Sequence, residues 1–193
     1  MSQLIGIGGR LTSGKDTVAD YLVDNYDWVK IGMSEPLDEA LVILDPLIPV
    51  KFLRLFTRHI RYSALHDAVG YTEAKKNHEV RRLLQKLGTD VGRKMFGENV
   101  WVDYASRKID KLRSEGKSVI LTGIRFPNEA IMISGNMMNG PAGQLVWVDR
   151  PDIKDTSLLT HASEAMGQEV FDIVLVNDGT LLDLYAKVEK TLV

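Results

Sequence analysis

The chain has 193 residues, 45% of them hydrophobic and 26% charged, which is the balance of a folded globular domain and excludes a disordered or fibrous chain. Its formal net charge of −2 argues against general DNA or RNA binding, which needs a broad basic surface, and the absence of cysteine excludes a disulfide framework or a thiolate metal site. No N-terminal signal and no apolar run of membrane-spanning length is read, so the expectation is one cytoplasmic domain over residues 1–193 with no membrane partner.

Residues 4–7, Leu-Ile-Gly-Ile, read as a buried strand and residues 18–23 as a helix. Between them, Gly9-Arg10-Leu11-Thr12-Ser13-Gly14-Lys15-Asp16-Thr17 spells a phosphate-binding loop. A glycine-rich turn from strand to helix aims successive backbone N–H groups at an anion, and the helix macrodipole adds to the attraction. Lys15 supplies a full positive charge, and Thr17 is read as a phosphate ligand through its hydroxyl and N–H. Asp16 stands where a metal-binding hydroxyl is expected. It has two readings, a ligand of Mg²⁺ or a first-turn carboxylate stabilised by the helix dipole.

Residues 28–31 form a short candidate strand, and Ser34 is placed as the N-cap of a helix over 36–44 with proline in its first turn. Residues 46–78 are the least regular stretch, and within them 51–61 is predicted to be a basic amphipathic helix, either solvated or facing an anion. The helix over 79–88 buries Val80, Leu83, Leu84 and Leu87 and lines another face with Arg81, Gln85 and Gly88. Gly88 is expected to end it, leaving Thr89 and Asp90 in a turn open to a small ligand. A further helix is predicted over 100–112, with Trp101 in its first turn as a core residue or a ligand platform.

Residues 118–123 read as a central parallel strand, and ligands gather at the carboxyl ends of such strands. Arg125 lies just past that end. Glu129, one turn on, is expected to orient its guanidinium or to meet a substrate hydroxyl. Residues 144–149 form another buried strand whose terminal Asp149 imitates a metal-binding carboxylate but is read as structural. A polar excursion over 150–165 is a candidate lid, with Arg150 at its hinge and His161 as a lid-anchoring hydrogen-bonder. A last strand over 171–176 and a terminal helix carrying Leu181, Leu184, Tyr185, Val188 and Leu192 complete an alternation of strands and helices, hence an α/β fold with a parallel sheet covered by helices.

Several separated motifs together resemble the phage-type deoxynucleoside monophosphate kinases of the P-loop kinase fold. They are Ser13-Gly14-Lys15-Asp16-Thr17, the run from Val80 to Asp90 with Trp101 after it, Arg125 through Glu129, Thr160-His161 with Ser163-Glu164, and Val176-Asn177-Asp178-Gly179. The resemblance implies a three-layer P-loop kinase fold with a helical acceptor-binding region over about 34–95 and a short lid. It also implies Mg²⁺-assisted phosphoryl transfer from ATP to a deoxynucleoside monophosphate, in the host cytoplasm if the chain is phage-encoded. Phosphoryl transfer asks mainly for alignment and charge neutralisation, and an ionised phosphate needs no general base. Lys15, Arg81 and Arg125 are therefore the expected catalytic residues, with Arg81 and Arg125 on the acceptor phosphate. ATP is assigned to Arg10, Ser13, Gly14, Lys15, Asp16, Thr17, Arg150, Asn177 and Gly179, the last two beside the adenine, with Asp16 as the Mg²⁺ candidate. The acceptor is assigned to Arg81, Arg82, Gln85, Gly88, Thr89, Trp101, Arg125 and Glu129. Asp38 and Gly123 depart from one branch of the family, which has a basic and an acidic residue there, so base preference stays open, as does homodimer formation. A phosphomevalonate-type kinase and a non-catalytic nucleotide switch are the competing readings.

Overall fold

A computed structural model describes residues 3–10, 12–52, 56–135, 143–152 and 166–193. The chain divides into two compact units, one made of Met1–Met33 with Val102–Val193 and the other of Ser34–Trp101.

The first unit is built on a five-stranded parallel sheet of β1 (Leu4–Gly9), β2 (Trp28–Gly32), β5 (Ser118–Thr122), β6 (Gln144–Asp149) and β7 (Ile173–Val176), in the order β2-β5-β1-β6-β7. Register is set by pairs such as Ile5 with Ile120 and Gly8 with Trp147. The continuously apolar runs of β1 and β5 occupy interior positions of the sheet, where both faces are covered. On one face Ile5, Ile7, Ile120, Val146, Val148 and Leu175 pack against Val18, Ala19 and Leu22 of α1 (Lys15–Tyr26) and Leu184, Val188 and Leu192 of α7 (Leu181–Leu192). The alternate residues of β1 are glycines, because the other face is crowded. A Cβ on Gly6 would lie 2.9 Å from Ile133 of α6 (Pro127–Ile133), and one on Gly8 would lie 2.3 Å from the ring of Phe171. Tyr185 of α7 stacks on Tyr21 at 4.0 Å, and Glu189 accepts hydrogen bonds from Tyr21 and Tyr26 at 2.6 and 3.1 Å. These bonds hold the Glu189 carboxyl below the usual range. They tie α7 to the helix that follows the phosphate loop.

The second unit contains α2 (Glu35–Leu44), an antiparallel hairpin of β3 (Leu47–Phe52) and β4 (Phe56–Arg61), α3 (Tyr62–Ala74) and α4 (His78–Gln85). Its core is Leu41, Ile48, Tyr62, Ala74, Val80 and Leu84. Ser34 stands at the N-cap of α2, but its hydroxyl makes no capping bond; its carbonyl accepts the N–H groups of Leu37 and Asp38 instead. Asp38 lies between two side chains of α3, accepting from the Tyr62 hydroxyl at 2.5 Å and pairing with His66 Nε2 at 3.1 Å. Asp38 thus joins α2 to α3.

Two expectations are corrected here. The predicted amphipathic helix over 51–61 is strand at its described residues, because β4 pairs in antiparallel register with β3, Val50 opposite Arg58 and Lys51 opposite Thr57, and it is β3 that reaches the core, through Ile48 and Val50. Gly88 does not end the helix, which continues from α4 as wider π-helical turns over Lys86–Phe96. Trp101 Nε1 donates to the Gly88 carbonyl at 2.9 Å, an insertion of the kind that widens a helical ladder. Gly92 is buried beneath the same indole; a Cβ there would lie 2.4 Å from Trp101 Cζ2.

Candidate active site

Residues 9–14 carry β1 into α1, and the turn is conformationally unusual at several points. Thr12 has φ +64, a strained value for a β-branched residue, and Gly14, at the helix N-cap, has φ +103. The turn is closed by Ser13 N–H donating to the Arg10 carbonyl at 3.2 Å and Val18 N–H to the Gly14 carbonyl at 3.0 Å. Lys15 Nζ also donates to the Arg10 carbonyl, at 3.1 Å. Ser13 Oγ is buried within the turn and has no hydrogen-bond partner among the described residues.

Two cavities meet this loop, both formed within the first unit, and Lys15 lines each of them. One, of about 360 Å³, is bordered by Thr12, Gly14, Asp16, Thr17, Arg150, Asn177, Gly179, Leu181 and Leu184. The other, of about 530 Å³, is bordered by Gly9, Arg10, Arg125 and Asp149, with Ile124, Trp147, Pro151 and Met166 as apolar lining and Gln168 and Glu169 as polar lining. It opens at the carboxyl ends of β1, β5 and β6, where a parallel sheet places ligands. One lysine thus borders both cavities, with Arg150 on the smaller and Arg10 and Arg125 beside the carboxylates of Asp149 and Glu169 on the larger.

The sequence pattern of the deoxynucleotide monophosphate kinase family matches residues 54–188. The chain belongs to this family. A deoxynucleotide monophosphate kinase from Escherichia phage RB69 is 26% identical over 249 aligned residues, covering 98% of this chain and 99% of the phage protein. The alignment is longer than the 193-residue chain, so the phage protein carries insertions absent here. A putative deoxynucleotide monophosphate kinase from Acanthamoeba polyphaga mimivirus is 26% identical over 96% of this chain and 93% of its own length. Among solved structures, dephospho-CoA kinase from Campylobacter jejuni superposes with a TM-score of 0.51 at 15% identity, covering 100% of this chain and 96% of that one, a likeness of fold. This deoxynucleotide monophosphate kinase family member is a phosphotransferase with the P-loop kinase fold, and phosphorylation of nucleotides is its activity.

Of the residues that the sequence assigns to ATP, Gly14, Lys15, Asp16, Thr17, Arg150, Asn177 and Gly179 border the smaller cavity, whereas Arg10 borders the larger. Asp16 is largely exposed and lies 3.3 Å from Lys30 Nζ, which also bonds Asp20 at 2.9 Å. Burial alone would lower the Lys30 pKa, but the bonds from these two carboxylates outweigh it and raise it. Among the described residues there is no cluster of three or more His, Cys, Asp or Glu side chains able to cage a metal ion. Among the described residues that border the smaller cavity, Asp16 carries the one carboxylate.

The acceptor assignments divide between the units. Arg125 is exposed on the larger cavity. Glu129 is buried, and its Oε2 accepts the N–H groups of Arg125 and Phe126 at 2.8 and 3.2 Å, forming a capping box for α6. Of its two expected tasks, orienting the Arg125 guanidinium or meeting a substrate hydroxyl, the structure describes neither; what it shows is Glu129 fixing the backbone that presents Arg125. In the second unit Arg81, Gln85 and Thr89 are exposed. Arg82 makes a two-point ion pair with Glu79, Nε to Oε2 at 2.7 Å and Nη2 to Oε1 at 2.6 Å, which raises the guanidinium pKa and lowers that of the carboxyl. Gly88 and Trp101 bond to each other, so the indole is a clamp on the π-helical turns. The lid residues 153–165, His161 and Glu164 among them, lie outside the described residues.

Sequence reasoning missed the apolar wall of the larger cavity. Strand parity held the signal, because Trp147 shares its face of β6 with Asp149, opposite to that of the buried Val146 and Val148.

Proposed function

We propose that this chain transfers the γ-phosphoryl group of ATP to the phosphate of a deoxynucleoside monophosphate, giving ADP and the deoxynucleoside diphosphate. The observation that carries the reading is the position of Lys15 on both cavities, with the phosphate loop and Arg150 on one and Arg125 on the other. The smaller cavity takes the donor. Lys15 and the loop N–H groups hold its β- and γ-phosphates, and Arg150 reaches its nucleotide. The larger cavity takes the acceptor phosphate on Arg125. Asp16 would hold Mg²⁺, whose charge offsets that of the donor phosphates when it is bound. The acceptor oxygen is already ionised, so no side chain removes a proton; Lys15 and the arginines align the two phosphates and neutralise the group in flight.

A steady-state assay with ATP and Mg²⁺ across the deoxy- and ribonucleoside monophosphates, with phosphomevalonate included, tests the reading. Turnover with at least one deoxynucleoside monophosphate and none with phosphomevalonate is expected. The opposite preference would refute it.

A further inference from the structure

The turn after β7 is braced from three sides. Asn177 N–H donates to the Asp149 carbonyl at 2.6 Å, and Lys187 Nζ donates to the Val176 carbonyl at 2.9 Å and to Asp178 at 2.5 Å. Thr180 and Asp183 then close a capping box at the start of α7. From this fixed turn the Asn177 side chain reaches back to the phosphate loop, where Nδ2 donates to the Ser13 carbonyl at 2.9 Å. The approach is close enough that a Cβ on Gly14 would lie 2.7 Å from that nitrogen.

We infer that Asn177 is a positioning residue that sets the direction of the Gly14 N–H and, through it, the anion-binding shape of the phosphate loop. A trans peptide is planar, so the Ser13 carbonyl and the Gly14 N–H point in opposite directions. Holding the carbonyl toward Asn177 turns the N–H away from it. Gly14 sits at φ +103, and glycine takes either sign of φ at little cost, so sterics alone do not choose between the two orientations of this peptide. In the flipped orientation the loop would offer a carbonyl oxygen, with its partial negative charge, where a phosphate needs a donor. In its observed orientation the amide of Asn177 disfavours that alternative, since rotating the peptide would face an N–H with an N–H and forfeit the bond; the side-chain amide would have to turn as well, presenting Oδ1, to recover one. The inference rests on the donor site proposed above. It gives Asn177 a task other than the adenine contact expected from sequence, one N–H of its amide being held by the loop.

The test is binding of MgATP, of magnesium tripolyphosphate and of adenosine, by titration calorimetry, to the wild-type chain, Asn177→Ala and Asn177→Leu, with a thermal melt of each. Leucine keeps the side-chain volume and lacks the donor. Loss of one charge-assisted N–H contact predicts that ATP and tripolyphosphate weaken by the same factor, roughly 10- to 100-fold, while adenosine binding is unchanged. In the wild-type chain the Gly14 amide signal in an ¹⁵N spectrum is expected to move strongly on addition of tripolyphosphate, a readout that needs no variant. Weakening confined to ATP and adenosine would assign Asn177 to the base and overturn the inference. Unchanged tripolyphosphate binding in both variants, or a stationary Gly14 signal, would overturn it as well. A wild-type chain that bound neither ATP nor tripolyphosphate would instead sink the donor-site reading on which the inference stands.

Discussion

Replacing Lys15 by alanine should separate stability from catalysis more sharply than any other single change. Within the loop the ammonium donates to the neutral carbonyl of Arg10 at 3.1 Å, and a bond of that kind contributes about 0.5–1.5 kcal/mol to folding. For a chain of this length, 1 kcal/mol corresponds to roughly 2–4 °C in Tm, so the variant should melt within about 6 °C of wild type. The catalytic loss should be much larger. Lys15 borders both cavities, and the proposed mechanism sets its charge against the donor phosphates and the group in transfer. Deleting one preorganised donor at a developing charge costs about 3–4 kcal/mol, and a full charge serving two ligands should reach about 5 kcal/mol, or roughly 10²- to 10⁴-fold in kcat/KM. Steady-state kinetics and a thermal melt on one preparation provide the two numbers. A kcat/KM within tenfold of wild type would refute the assignment, as would a Tm loss large enough to account for the inactivity.

Arg125→Ala and Arg81→Ala should each cost about 2–5 kcal/mol in use of the acceptor monophosphate with little change in ATP binding, whereas Arg82→Ala should cost less because its guanidinium is held by Glu79; separate titrations of the two nucleotides check the division, and a loss of ATP affinity in either of the first two variants would contradict it. Trp101→Phe removes the bond to the Gly88 carbonyl and should destabilise the chain by about 1 kcal/mol, and Gly92→Ala should cost more, since its Cβ would fall 2.4 Å from the indole; urea unfolding measures both. Bonds from Thr180 hold the Asp183 carboxyl below its ordinary value of 3.8, and the Lys187 ammonium does the same for Asp178. A carboxyl depressed in the folded chain adds stability that is present above 3.8 and is lost as pH falls through the folded value, so the Tm gap between wild type and Asp183→Ala should be widest near neutrality and should close in acid. Melts from pH 7 downward would show it, and a gap that widened in acid would contradict the sign.

The sheet and the donor loop were legible because their signals are local. The strand over 144–149 and the start of the central strand at Ser118 stand where the apolar runs place them, since parallel strands buried on both faces are continuously hydrophobic. The loop was legible because glycine spacing, a lysine and a following helix express one anion-binding geometry. In the second unit the helices over 36–44 and 79–88 were legible from their spacing, whereas the hairpin and the kinked helix after it were not. The helix over Tyr62–Ala74 is broken at Gly70, where φ +74 interrupts the period, and β4 is held by register with β3 and not by a buried stripe of its own. The contacts that Glu129 and Asn177 make were not legible for one reason: their partners are backbone N–H and C=O groups, which every residue carries and which leave no mark in a sequence.

The central claim is that the γ-phosphoryl group passes directly from ATP to a nucleoside monophosphate. Incubating the chain with γ-³²P-labelled ATP, Mg²⁺ and a deoxynucleoside monophosphate, then separating the products, tests it most directly. The account predicts label in the deoxynucleoside diphosphate in amounts equal to the ADP formed. Label found only in inorganic phosphate, or no ADP at all with any deoxynucleoside monophosphate, would contradict it.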